Sequence, residues 1–249
     1  MFEAAQAGKN DELKTLIDVG GDVSWKNPYQ DGMSALHCAA LEGHLACVKT
    51  LLHAKVHLVD ILTSTKEATA LHCAAAGGHG NCIEALLHAK VRLDATTSDG
   101  DTALHIAACF SKSDAVNRLL AAGARTAIRI KPPSPSPSPP HSPRTARTSE
   151  ELRRAMVRLA ATMTDGDTAL HIAACFSKSD AVKRLLAAKA RTAIRNKAGQ
   201  TALDVARKEG HISVIALLEA AEKQKAARKY KGCLFCPPLT WRGPSEARL

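Results

Sequence analysis

Apolar positions along the chain fall into pairs of short helical runs joined by a tight turn. Ala35–Leu41 and Ala70–Ala76 are almost wholly apolar over about two turns, which predicts short helices enclosed on most sides. Glu42-Gly43-His44 and Gly77-Gly78-His79 then break each run. Beyond the break, Val48, Leu51 and Leu52, and likewise Ile83, Leu86 and Leu87, stand at helical spacing among polar residues, so a second helix with one buried face follows. Ser34 and Thr69 immediately precede the first helices, where a hydroxyl can accept a backbone N–H of the first turn. The start of the chain reads as the same unit without its leading loop: Phe2–Gly8 as the inner helix and Asp11–Val19 as the outer one. Glu3, Gln6, Lys9 and Lys14 provide the polar face of a terminal cap. The second helices end on Gly20 and Gly123, or on Lys55, Lys90 and Lys189. A lysine in the left-handed conformation that such an end prefers costs roughly 1 kcal/mol.

The pairs are copies of one unit. Ser34-Ala35-Leu36-His37, Thr69-Ala70-Leu71-His72, Thr102-Ala103-Leu104-His105, Thr168-Ala169-Leu170-His171 and Thr201-Ala202-Leu203-Asp204 recur at steps of 35, 33, 66 and 33. Asp99–Arg129 and Asp165–Arg195 match except at Asn117/Lys183 and Gly123/Lys189, solvent-facing positions such as Ser111, Lys112 and Ser113 included. Packing constrains only the buried half of such a unit, so this identity marks a recent duplication or an assembly artefact rather than a physical requirement. A period of about 33 around a TxLHxAA core resembles the ankyrin repeat.

That resemblance implies an all-α ankyrin-repeat solenoid of about six helix-turn-helix repeats, with β-hairpin fingers lying across the helix axes. It gives residues 1–131 to an N-terminal cap and three repeats, and 165–221 to two more, the last a C-terminal cap. It also implies structural roles for His37, His72, His105 and His171, each imidazole bonding its neighbouring Ser/Thr and loop backbone, and loop-ordering roles for His44, His79 and His211. Layers packed about 10 Å apart hold successive imidazoles too far from one another to share an ion at about 2.0–2.1 Å, so no metal is expected.

Residues 132–164 interrupt the pattern. Pro132–Pro143 is Ser/Pro low complexity and reads as disordered and polyproline-like. Thr148 and Glu151 form a capping box ahead of an amphipathic stripe of Leu152, Met156, Leu159 and Met163. Removing 132–164 joins Lys131 to Asp165 and restores an unbroken repeat, so the stretch reads as a loop leaving a finger tip. Ser134, Ser136, Ser138 and Ser142 each precede proline and are candidate phosphorylation sites. After 222 the chain reads as a basic, disordered tail in which Lys225, Arg228, Lys229 and Lys231 precede Cys233 and Cys236, candidate acylation sites at a membrane.

Composition sharpens this picture. Apolar residues make up 45% of the chain but aromatics only 3%, as closely stacked short helices require. The net charge of +10 resides mainly in Lys131–Thr164 (six Lys/Arg against Glu150 and Glu151) and in the tail (seven against Glu222 and Glu246), leaving the repeats almost neutral. A nucleic-acid platform would carry that charge on its own face, so no nucleic acid is expected. Cys38 with Cys73, Cys109 with Cys175, and Cys47 with Cys82 recur at fixed repeat positions, as packing residues rather than disulfides, which points to an intracellular, cytoplasmic or nuclear, setting. No catalytic motif, leader or membrane-spanning run is legible, and neither a cofactor nor an enzymatic activity is expected.

The function expected from the resemblance is a monomeric, non-enzymatic scaffold or adaptor that binds a protein through finger tips and the concave face. Trp25, Tyr29, Asp31, Met33, Leu41, Asp99, Asp101, Phe110, Asp165, Asp167 and Phe176 are the candidate contacts. An acidic finger edge beside an apolar pair of Phe110 and Phe176 suits a basic, amphipathic peptide. The alternatives are a regulator tethered to membranes by its tail, and the ankyrin portion of a larger enzyme.

Overall fold

A computed structural model of the chain describes residues 1–54, 62–64, 66–130 and 166–231, with the side chains of 226–231 left aside. Among the described residues twelve helices pair off along the sequence. The inner helices are α1 (Phe2–Gln6), α3 (Ala35–Glu42), α5 (Ala70–Gly77), α7 (Ala103–Cys109), α9 (Ala169–Cys175) and α11 (Ala202–Lys208). The outer helices are α2 (Asn10–Asp18), α4 (Leu45–Ala54), α6 (Gly80–His88), α8 (Ser113–Ala121), α10 (Ser179–Ala187) and α12 (Ile212–Lys231). Each inner helix packs on the next inner helix, and each outer helix on the next outer one, α7 on α9 and α8 on α10 included. The result is a single row of layers in which one continuous core runs between neighbours.

The core follows from the residue types. Inner helices are buried almost all round, which only alanine-rich sequence permits at close approach: Ala39, Ala40, Ala74, Ala75, Ala107, Ala108, Ala173 and Ala174 are sealed from solvent. Outer helices bury one stripe, Val48 and Leu51, Ile83 and Leu86, Val116 and Leu119, Val182 and Leu185, each large side chain worth about 2 kcal/mol of burial. Of the recurring thiols, Cys38, Cys47, Cys73 and Cys82 belong to this core. Cys38, Cys47, Cys73, Cys82 and Cys109 are buried and unpaired, and burial pushes the thiols of Cys73 and Cys109 up to about 12 and that of Cys82 to about 11. Thiols held protonated in this way are inert packing groups.

The fingers are less regular than the hairpins expected. β1 (Lys26–Asn27) pairs antiparallel with β2 (Met33–Ser34) at the first finger. Elsewhere among the described residues there is only an isolated bridge between Thr96 and Thr102. The remaining fingers are closed by turn bonds such as Thr97 N–H to the Asp101 carbonyl (2.9 Å) and Asn196 N–H to the Gln200 carbonyl (2.9 Å). Across the duplicated units the chain returns through Ile130 N–H to the Asp167 carbonyl (3.0 Å) and Gly166 N–H to the Ile130 carbonyl (3.1 Å). The candidate phosphorylation sites Ser134, Ser136, Ser138 and Ser142, the rest of 132–164, Asp165, Lys55, Cys233 and Cys236 lie outside the described residues.

The C-terminal boundary needs correction. α12 does not stop near 221 but runs to Lys231, because Glu222-Lys223-Gln224-Lys225-Ala226-Ala227-Arg228-Lys229 are strong helix formers. Lys225 Nζ also pins the extension back to the preceding layer, donating to the Ala190 carbonyl (3.4 Å) and Thr192 Oγ1 (3.2 Å).

Helix ends adopt the strained conformation expected at the lysines. Lys90 and Lys189 sit at φ +62° and +60°, where the duplicate of Lys189, Gly123, sits at +88°. Lys189→Gly should therefore raise stability by about 1 kcal/mol. Chemical denaturation measures it, and an unchanged or lower midpoint would show that the lysine side chain offsets the strain.

Candidate interaction surface

The motif histidines join the layers. In each, a backbone N–H that can only donate reaches Nδ1: Ser34 to His37 (3.2 Å), Thr69 to His72 (3.1 Å), Thr102 to His105 (3.2 Å) and Thr168 to His171 (3.2 Å). Nδ1 is therefore an acceptor, the neighbouring hydroxyl donates to it as well at 2.7–2.8 Å, and the ring proton resides on Nε2. Nε2 donates onward to a carbonyl of the following finger: Ala68 (3.1 Å), Ala95 and Asp101 (3.0 and 3.1 Å), Ile128 (3.1 Å) and Gln200 (3.1 Å). Both nitrogens are thus committed to protein partners. Burial, against the help of those carbonyls, lowers the imidazoles of His72 and His105 to about 4. In the last motif Asp204 takes the place of histidine. Its Oδ2 accepts from Thr201 N–H (2.9 Å) and Oγ1 (2.8 Å), which caps the helix with no arm reaching toward a further finger.

The turn histidines form a second set of ties, pointing the other way. His44 Nε2 bonds the Gln6 carbonyl (3.0 Å), His79 the Leu41 carbonyl, and His211 Nε2 the Cys175 carbonyl (2.8 Å). The duplicated units carry Ser111-Lys112 and Ser177-Lys178 where the second, third and last units have Gly-His and the first has Gly8-Lys9, with both serines held at positive φ.

This scaffold sorts the candidate contacts. On the first finger Trp25 is 49% and Tyr29 76% exposed. Trp25 meets Phe2 edge to face, with ring centroids 6.1 Å apart and an interplanar angle of 79°, so it covers the terminal layer with one edge and shows solvent the rest. Tyr29 stands clear, in a turn that Asn27 Oδ1 closes by accepting from the Tyr29 N–H (2.9 Å). Asp31 is half-buried at φ +56°, at the tip of the same finger.

Other candidates are not presented to a partner. Met33 and Leu41 are buried, because one lies in the ladder against the core and the other on the inward face of α3. Asp167 is buried too, its Oδ1 accepting from Asn196 Nδ2 (2.9 Å). Asp99 pairs with Lys66 of the preceding finger (2.6 Å). Asp101 turns Oδ1 into the interior, where it meets no donor among the described residues. Burial, with Asp99 beside it and Lys66 opposing, pushes its carboxyl up to about 7. The acidic edge expected for a basic peptide is therefore largely neutralised within the protein.

Phe110 and Phe176 flank one apolar cluster as packing groups. Both are half-buried against a small cluster of Cys109, Ile130 and Ile172, separate from the main core. Ile130 was not among the candidates, and it explains them. It occupies the position filled by Thr63, Thr97 and Asn196 in the other fingers, whose side chains accept the N–H of Ala68 (3.0 Å), Asp101 (3.1 Å) and Gln200 (2.9 Å). With isoleucine there, the finger gains an apolar floor and loses a polar clamp. An arginine at Phe110 or Phe176 would disrupt this floor, so it would not report on partner binding alone.

Among the described residues no helix is long and apolar enough to cross a membrane. The family model for ankyrin repeats matches three stretches, 1–60, 54–130 and 149–228, leaving 131–148 between matches. The solved ankyrin repeat domain of human ASB11 is 26% identical, over 88% of this chain and 96% of that one, with a TM-score of 0.54. Ankyrin repeats are generally protein–protein interaction modules and typically non-catalytic. Carrying the repeat over most of its length, the chain belongs to the ankyrin-repeat family.

Proposed function

We propose that the chain is a non-enzymatic adaptor that captures a protein partner on the finger side of the row, with the first finger as the anchor. The observation that carries this reading is the pair of exposed aromatics, Trp25 and Tyr29, in a chain with very few aromatic residues. Nothing in the repeat pattern requires either, and rigid amphipathic rings are the commonest anchors of protein interfaces. Trp25 is already held by Phe2, so little side-chain entropy remains to be lost when a partner closes over it. The buried ties of His37, His72, His105 and His171 support the role by holding successive layers in register. Rigid presentation lowers the ordering cost of binding.

A photo-crosslinking residue in place of Tyr29 should yield a defined adduct with a partner, while the same residue at Lys49, exposed on outer helix α4, should yield none. Tyr29→Ala should lower capture at least tenfold with an unchanged melting curve. Adducts at 49 and none at 29 would move the interface to the outer helices and end this reading.

A further inference from the structure

Between the fourth and fifth layers of the row, a cleft of about 440 Å³ opens between the two segments that lead from α8 and α10 into their fingers, lined by Ala127, Arg129, Arg191, Ala193, Ile194 and Arg195. Three arginines thus border one concavity. Arg195 is steadied there, donating to the Gly199 carbonyl (2.5 Å) and standing 3.8 Å from Asp204 Oδ2. Among the described residues neither Arg129 nor Arg191 has a hydrogen-bonded or ion-paired partner.

Comparison with the preceding junction explains why the cleft exists. There, the place of Ala127 is taken by Asp94, whose Oδ1 accepts the Arg125 N–H across the layers (3.1 Å). At the cleft the counterpart of Arg125 is Arg191, and Ala127 supplies neither the carboxylate nor the volume. Alanine thus stands where the preceding junction has Asp94, and Arg129 where it has Thr96, which leaves room and positive charge at one spot.

We propose that this cleft is a receptor for a phosphoserine-bearing peptide. Arginine forks bind tetrahedral oxyanions through paired, charge-assisted N–H donors, and a cleft of this volume lies within the range of small-ligand sites. A phosphoryl group brings about −1.5 to −2 charge and three acceptor oxygens, and so engages several guanidiniums where a single carboxylate engages one. Nucleic acid fits less well. The exposed aromatics that could stack a base, Trp25 and Tyr29, stand on the first finger and not beside this cleft. The site lies apart from that finger, so the two readings stand or fall separately.

The test is fluorescence anisotropy with the full, unphosphorylated chain. The probe is a labelled synthetic peptide of residues 132–143, phosphorylated on Ser136 and Ser138. Its unphosphorylated form and a single-stranded 12-mer oligonucleotide serve as comparisons. The phosphopeptide should bind, and the unphosphorylated peptide at least tenfold more weakly. Arg129→Ala with Arg191→Ala should weaken phosphopeptide binding at least tenfold. Ala127→Asp, which restores the acid of the preceding junction at an exposed position, should abolish it with an unchanged melting temperature. Equal binding of the two peptides, binding indifferent to Ala127→Asp, or preference for the oligonucleotide would each overturn the proposal.

Discussion

Asp101→Asn should make the protein more stable at pH 8 by about 4 kcal/mol and leave it unchanged below about pH 4. The carboxyl of Asp101 is raised from 3.8 to about 7 in the folded chain, by burial first and by Asp99 second. A group raised in this way contributes its full stability below the unfolded value of 3.8 and loses it as the pH climbs through 7. At pH 8 the folded state must hold a charged carboxylate whose Oδ1 faces no donor, a penalty that a neutral amide of the same shape avoids. The duplicated unit supplies the control. Asp167 stands at the equivalent position with Asn196 Nδ2 at 2.9 Å, so Asp167→Asn only exchanges a charge-assisted bond for a weaker neutral one and should not stabilise. Denaturant midpoints at pH 4 and pH 8 measure both variants. A gain at pH 8 no larger than the gain at pH 4, or an equal gain from Asp167→Asn, would refute the assignment.

That contrast shows where the sequence is informative. The caps and the imidazole position were legible because they rest on contacts between residues three apart, such as Ser34 with His37, repeated until chance is excluded. Left-handed helix ends were legible for the same local reason. The orphaned Asp101 was not, since its fate is decided by Ile130, 29 positions on in the following finger, where the duplicated unit carries Asn196. The letters at 130 and 196 differ visibly, but only geometry shows that side chains at this position reach back to the carboxyl of the preceding finger. The same residue hid the character of Phe110 and Phe176, which look like an exposed pair until Ile130 and Ile172 are found beneath them. Of the proposed interaction surface, Trp25 and Tyr29 were recognisable because no repeat position calls for them. The arginine cleft was not, because it arises from what Ala127 lacks rather than from any motif.

Acidification should unfold the chain through its imidazole ladder, and His105→Asn should blunt that response. His72 and His105 are lowered from 6.5 to about 4, with burial the leading cause. A depressed value means that the unfolded state binds the proton more readily between those limits. Their stabilisation is therefore complete above pH 6.5 and is lost as the pH falls toward 4, by about 3 kcal/mol for each. Protonation would place a hydrogen on Nδ1, where the Thr102 N–H already points, so the ring could keep its arm to Ile128 only by losing its cap. Asp101 works in the opposite sense over pH 3.8 to 7 and masks part of the loss, so the acid response should be steeper in Asp101→Asn than in the unaltered chain. Asparagine at 105 can still accept the Thr102 N–H, as Asp204 does for Thr201, but it cannot reach the Ile128 carbonyl. At pH 7.5 His105→Asn should cost about 2–3 kcal/mol for the buried carbonyl left without a donor. Between pH 6.5 and 4, measured in the Asp101→Asn background, it should lose less stability than its parent by the share of one imidazole. An acid response identical with and without His105 would place the pH sensitivity in the surface carboxylates instead.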